Sequence, residues 1–346
     1  MMESCTLVLL SIIKYVLIME VILNTFGTSI IVDRGAFVIM NKDGKQRIDP
    51  SAIKSISISK GARISSDAAL LSIENEIDVL FVDGTGKPEG RVWSIKYGSI
   101  STIRRNQLDF TLSCQAVVWI KSILTEKINN QVALLLSISP IEWEHQPQLN
   151  KVVSRLNDYK NKISNQQAEI LSDIVQSLRG WEGTASRYYF SIISLLLPDE
   201  YKFEVRSQHP ANDVFNCLLN YGYGILYGKV EGALIKAGLD PYVGVMHRED
   251  YNRPVLVFDV IEKFRIWIDF VVFKLLQQKV INEDCYQVKN DGSYWLEGLG
   301  KRILIQSVND YFDEIVNITG LNRSRANHIE MFATKFAQYI LKYKIV

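Results

Sequence analysis

The stretch DVFNCLLNYGYGILYGKVEGALIKAGLDP, from Asp213 to Pro241, decides the fold. It reads as one long, largely apolar helix with two marked ends. Asn212 or Asp213 is a side chain suited to cap its first turn. Gly238 stands where the chain must leave the helix, Leu239 is placed for the accompanying apolar contact, and Pro241 blocks continuation.

Working upstream, QLDFTLSCQAVVWIKSILTEKINNQVALLL (Gln107–Leu136) and NKVVSRLNDYKNKISNQQAEILSDIVQSLRG (Asn150–Gly180) carry the same 3.6-residue periodicity. From about Thr102 to the C-terminus the chain therefore reads as long amphipathic helices. Before Trp93 the pattern is β. SIIVDRGAFVIMNKDGKQRI (Ser29–Ile48) reads as two strands joined through an Asp43-Gly44 turn. In IKSISIS, Ile56 and Ile58 alternate with serines, and SSDAALLSIENE is a helical insert capped by Ser66 or Asp67. IDVLFVDGTGKPEGRVW reads as strand, Gly/Pro turn, strand. The expected class is α+β: a small N-terminal β domain with one helix, followed by a larger all-α C-terminal domain. Residues 19–96 form the first, 97–105 a linker and 106–346 the second. Residues 1–18 read as an N-terminal extension, because LVLLSIIKYVLI is short, is broken by Lys14 and precedes a natural start at Met19.

The chain has 346 residues, is 47% hydrophobic and has a net charge of +1 from 39 basic and 38 acidic side chains. That excludes a strongly basic nucleic-acid coat while leaving room for local basic patches. Its four cysteines are scattered, with no C-x-x-C pair, which points to reduced, buried thiols in a cytoplasmic protein with no membrane span.

Polar residues gather in three places. In RGWEGTASRYYFSIISLLLP, Glu182 lies among Gly180, Gly183 and small residues. Alone, this is equally a surface helix start whose acid meets the helix dipole. In RSQHPANDVFNCLLNYGYGIL, Asp213 and Asn216 share a face, and Tyr221 and Tyr223 follow; Asp213 could be no more than a cap, and the tyrosines could belong to the core. In MHREDYNRPVLVFDVIEKFR, His247 precedes Asp259, which follows a β-like PVLVF, and Glu262 lies one turn on. Alone, that is a histidine–acid hydrogen bond. Together, one imidazole and two or three carboxylates make a hard, oxygen-rich set suited to Mg²⁺ or Mn²⁺ rather than zinc. Arg187, Arg206, Arg248, Arg253 and Arg265 lie beside the set, and a metal with arginines suits phosphodiester chemistry.

These stretches resemble, in order, motifs of the Cas-one family of CRISPR-associated spacer-acquisition integrases. GWEGTASRYYF is similar to its glutamate motif and HPANDVFNCLLNYGYGIL to its D-x-x-N-x-x-L-x-Y-G-Y motif. AGLDPYVGVMH resembles its histidine segment and VLVFDVIEKFR its acidic helix. The resemblance implies a metal site of Glu182, His247 and Glu262, with Asp259 as orienter or alternate ligand, and catalytic or supporting roles for Asp213 and Asn216. It implies DNA contacts from Arg187, Arg206, Arg248, Arg265, Tyr188 and Tyr223. It also implies double-stranded DNA (a captured fragment and the CRISPR repeat) and the Cas-two protein as partners, and homodimers formed through the β domain. The implied reaction is attack by a DNA 3′-hydroxyl on a phosphodiester at the repeat, giving an integrase and endonuclease. A nuclease of the same fold acting on branched DNA, and a catalytically idle DNA-binding scaffold, are the alternatives.

Overall fold

A computed structural model of the chain describes residues 19–42, 44–75, 77–83, 88–92, 98–208, 210–247 and 253–343. The expected extension, Asp43, His209 and Arg248 lie outside these residues. The chain divides into two compact units, Met1–Lys96 and Tyr97–Val346.

The first unit begins with strands β1 (Met19–Leu23), β2 (Ser29–Asp33), β3 (Ala36–Asn41), β4 (Gly44–Ile48), β5 (Ile53–Ser59) and β6 (Arg63–Ile64). Helix α1 (Ser66–Glu74) follows, then β7 (Asp78–Val82) and β8 (Pro88–Arg91). They form two sheets, ordered β1-β5-β7-β8 and β4-β3-β2-β6. Strands β1, β5 and β7 run parallel, with α1 in the β5–β7 crossover. The alternation in IKSISIS is real: Ile56 and Ile58 enter a core shared with Ile30, Phe37 and Ala68. Two local expectations fail. Ser29–Ile48 is three strands, not two. A two-residue turn at Arg34 (φ 47°) and Gly35 (φ 74°) splits the first segment, since a positive φ at both central residues gives the type I′ geometry that suits strand twist. The α1 cap is Ser65, whose side chain accepts from the Ala68 amide, one residue before the pair expected.

The second unit runs α2 (Gly98–Thr111), α3 (Cys114–Ile138), α4 (Gln146–Asn165), α5 (Val175–Leu196), α6 (Val214–Lys236), α7 (Val255–Ile261) and α8 (Arg265–Gln277). A hairpin β9 (Tyr286–Val288) and β10 (Tyr294–Leu296), α9 (Gly298–Asp313), a second hairpin β11 (Ile315–Ile318) and β12 (Leu321–Ser324), and α10 (Arg325–Lys342) complete it. The α+β class is as expected. The helical unit nevertheless carries two hairpins that an all-α reading omits, and the stretch read as a linker is helical from Gly98 onward. Gln107–Leu136 is also two helices, because Ser113 caps α3 and interrupts the run.

Helix α6 is the centre of this unit and packs against α7, α8, α9 and α10. Its end follows the expected pattern. Gly238 adopts φ +85°, its amide donates to the Ile235 carbonyl at 3.0 Å, and the Leu239 amide donates to the Leu234 carbonyl at 3.0 Å. The loop that follows is fastened by Gln107 of α2. Its Nε2 donates to the carbonyls of Asp240 (2.8 Å) and Val243 (2.9 Å), and its Oε1 accepts from the Asp240 amide (3.0 Å). That clamp holds the chain on its way to His247. PVLVF, read as β-like, is the helix α7, with Val255, Leu256 and Val257 all buried. Burial against α3 and α6 outweighs the weak helix preference of three valines. No described helix is long and apolar enough to cross a membrane. Cys217 and Cys285 are buried free thiols; Cys114 is free but exposed, unlike the expectation.

Candidate functional site

Helices α3, α5, α6 and α8 and the segment before α6 line a cleft of about 510 Å³. Glu182 enters it from the middle of α5, not from a helix start. Gly183 therefore lies inside a helix, where it keeps the wall beside Glu182 low. Glu262, at the C-terminal end of α7, faces Glu182 across the cleft and is only 7% exposed. Between the two carboxylates stands Lys127 of α3, 8% exposed. Its Nζ donates to Glu182 Oε1 and to Glu262 Oε2, the latter at 2.5 Å. Glu182 Oε1 also accepts from Ser186 Oγ at 2.9 Å, one turn along α5, and Glu262 Oε1 from Arg265 Nε at 2.9 Å.

These charges set the protonation states. Burial alone would raise the Glu262 carboxyl, but Arg265, Lys127 and His247 beside it hold it down, to about 2. Burial opposes the Lys127 ammonium, yet the charges of Glu182 and Glu262 raise its pKa above the usual lysine value. His247 ends the loop that Gln107 fastens. Behind it, Asp259 is completely buried. Asp259 Oδ1 accepts from His247 Nδ1 at 2.7 Å, and Oδ2 accepts from the amides of Val245 (2.6 Å) and Met246 (3.1 Å). A carboxylate can only accept, so Nδ1 carries the hydrogen and Nε2 is the nitrogen left to act as an acceptor or ligand. Arg179 of α5 steadies the same loop by donating to the Met246 carbonyl at 2.8 Å.

A second cluster extends the cleft. Tyr223 of α6 donates to Asp269 Oδ1 at 2.6 Å and Tyr189 of α5 to Oδ2 at 3.0 Å. Burial pushes the Asp269 carboxyl up to about 6 despite both hydrogen bonds. The guanidinium groups of Arg265 and Arg206 sit 4.6 and 5.6 Å from the centre of the Tyr223 ring. Asn216 and Asn220 accept from Arg206 through their side-chain oxygens, the first at 2.7 Å.

The structure sorts the expected residues. Glu182 and Glu262 meet through Lys127, while Asp259 holds His247, which is not among the residues lining the cleft. Arg187, Arg206, Arg265 and Tyr223 line the cleft. Asp213 and Asn216 do not. Asp213 caps α6, accepting from the Asn216 amide at 2.7 Å and its Nδ2 at 2.6 Å, and the buried Asn216 props Arg206 from behind. Tyr188 turns toward α4, where Arg155 donates to its hydroxyl and lies over its ring; it does not line the cleft. Lys127, Gln131 and Asp269 are cleft residues the sequence reading passed over. Each had a signal: Lys127 and Gln131 interrupt the apolar stripe Leu124, Ile128, Leu135, and Asp269 is the lone acid in RIWIDFVVFKLL.

Two carboxylates already converging on one cation are a donor set that fits a hard divalent ion. Among the described residues, no three His, Cys, Asp or Glu side chains converge closely enough to form a metal cluster as they stand.

A family profile described as CRISPR associated protein Cas1 matches residues 21–310. The chain belongs to the Cas1 family. A Cas1 relative from Archaeoglobus fulgidus, a CRISPR-associated endonuclease Cas1, is 30% identical over 336 residues, covering 93% of this chain and 96% of its own. Among solved structures, a casposase bound to integration product superposes with a TM-score of 0.70 at 20% identity, covering 94% of this chain and 99% of the casposase. A partial Cas6-RT-Cas1–Cas2 complex gives 0.71 at 22% identity, covering 93% and 95%. These two establish that the Cas1 fold spans both units of the chain.

Proposed function

We propose that this Cas1-family chain is a metal-dependent DNA integrase and endonuclease that joins captured DNA fragments to CRISPR repeats. The observation that carries the reading is the convergence of Glu182 and Glu262 on one cation, with Arg206 and Arg265 in the same cleft. The naming of its relative as an endonuclease and the likeness to a casposase bound to integration product support it.

Glu182, Glu262 and His247 Nε2 would hold Mg²⁺ or Mn²⁺, which when bound supplies a Lewis acid for a phosphoryl oxygen. The chain's own residues do the rest. Asp259 fixes the His247 tautomer and orientation. Arg206 and Arg265, held over Tyr223, present positive charge to phosphate oxygens in the cleft. Arg187 extends that charge along its wall. In the reaction, a fragment's 3′-oxygen forms a bond to phosphorus while the repeat strand's own 3′-oxygen leaves; with water as nucleophile the result is cleavage. No covalent protein intermediate is required.

The partners are double-stranded DNA and Cas2, with residues 19–96 as the homodimerisation unit and 106–346 as the catalytic unit. A near-neutral chain binds DNA through local patches summed over an assembly. The test combines purified protein, Cas2, short duplex DNA and a supercoiled repeat-bearing plasmid with Mn²⁺ or Mg²⁺. Metal-dependent strand transfer at the repeat is expected. Cleavage without strand transfer would favour a branched-DNA nuclease, and neither activity would leave a DNA-binding scaffold.

A further inference from the structure

Lys127 has no counterpart in the chemistry derived above. It is a buried lysine in the apolar stripe of α3, and its ammonium occupies the point where Glu182 and Glu262 converge. A divalent ion held by these two acids would compete with this ammonium for the same two carboxylates. A +1 and a +2 charge sharing two carboxylate oxygens repel each other strongly in a partly desolvated site. Loading the site and keeping Lys127 in place therefore oppose each other.

A second observation shows where the ammonium can go. Gln131 lies one turn further along α3, at the i+4 position, so its side chain neighbours that of Lys127 on the same helix face. It is 3% exposed and lines the same cleft. Its Oε1 is buried with no hydrogen-bond partner. A buried carbonyl oxygen without a donor is costly. A lysine carries three donors on a flexible four-carbon stem.

We propose that Lys127 is a built-in counter-ion that swings between two positions: bridging Glu182 and Glu262 when no divalent ion is bound, and donating to Gln131 Oε1 when the ion displaces it. The exchange keeps the two buried acids compensated in the empty protein and prevents a buried ammonium from being stranded in the loaded one. It makes Lys127 a positioning residue that tunes metal affinity. This rests on the reading of Glu182, His247 and Glu262 as the cation's ligands.

The test is Mn²⁺ binding, followed by electron paramagnetic resonance of the free ion, with thermal unfolding measured with and without Mn²⁺. It uses the full chain, Lys127→Met, Gln131→Leu and the double variant, with Glu182→Gln as a control for site occupancy. Lys127→Met is expected to bind Mn²⁺ at least tenfold more tightly, to melt lower without metal and to gain more in Tm on saturation. Gln131→Leu is expected to weaken binding severalfold, and only while Lys127 is present. Unchanged or weaker binding by Lys127→Met would overturn the competition. A Gln131→Leu effect that persists in the double variant would overturn the second position. If Lys127→Met does not fold without metal, Lys127→Gln reads the same competition. If the full chain binds Mn²⁺ and Glu182→Gln abolishes it, a failed Lys127 result leaves the metal reading standing; if neither the full chain nor Lys127→Met binds Mn²⁺, both fall together.

Discussion

Asp259 grips His247 at two points: Oδ1 accepts from the ring Nδ1 at 2.7 Å and from the His247 amide at 3.3 Å, while Oδ2 takes the two preceding amides. A fully buried carboxylate is thus spent on orienting one imidazole and the loop that bears it. Asp259→Ala leaves three amides and a ring N–H without their acceptor, and should cost about 3 kcal/mol of stability. Asp259→Asn keeps the volume but loses the charge and one acceptor oxygen. Its strand-transfer rate should fall roughly tenfold or more, as for other residues that orient a ligand. A wild-type rate in Asp259→Asn would show that His247 needs no such support.

Glu182→Gln and His247→Ala should each abolish strand transfer while leaving the circular dichroism spectrum and DNA affinity near wild type. Glu182 and His247 are only partly buried, with 22% and 29% of their side chains exposed, so their loss leaves the core intact. Integration at a normal rate by either variant would show the site to be misassigned.

Two buried acids give stability trends of opposite sign. The Glu262 carboxyl is lowered from 4.5 to about 2, so its contribution is present above pH 4.5 and lost as pH falls toward 2. The Asp269 carboxyl is raised from 3.8 to about 6, so the native state holds this proton more tightly and stability declines as pH rises from about 4 to about 6. The second effect amounts to roughly 3 kcal/mol. Urea unfolding across this range should show the decline in the wild type and not in Asp269→Asn. An identical slope in the two would mean that Tyr189, Tyr223 and Arg265 hold Asp269 ionised throughout.

DNA affinity should fall steeply with salt. Arg206→Ala should reduce the logarithmic salt slope by about 1, the signature of one lost phosphate contact. Arg265→Ala should do the same and also free Glu262 from one of its two cationic partners. Tyr188→Phe should leave the slope unchanged, because its hydroxyl faces Arg155. A changed slope in Tyr188→Phe would place DNA on the α4 side as well.

Gly244 lies where the histidine loop passes α7. A Cβ there would stand 2.7 Å from the His247 carbonyl oxygen and 2.8 Å from Val255 Cγ2. Gly244→Ala should therefore cost about 1–3 kcal/mol and displace His247, lowering activity with it. Full activity with unchanged Tm would show that the loop shifts without consequence.

Much of this was legible in the residues. Gly238, Leu239 and Pro241 ended α6 as read, because a helix C-terminus depends on a few neighbouring residues. The β-then-α order followed from periodicity over windows of similar length. The Arg34-Gly35 turn was hidden because arginine rarely takes a positive φ, and α7 was hidden because its valines favour strands until neighbouring helices bury them.

The sequence by itself determined the β-then-α order and the end of α6, and the resemblance of its motifs to the Cas1 family singled out Glu182, His247 and Glu262 as candidate ligands. The order of elements and the helix end depend on contacts within a few residues along the chain. Only the tertiary structure decided what stands between the acids. Lys127 reaches Glu182 across 55 positions and Glu262 across 135, and Asp269 meets Tyr189 across 80. Electrostatic partnership depends on distance in space and on the burial that strengthens it, and both are set by how α3, α5, α7 and α8 pack, which no local pattern encodes.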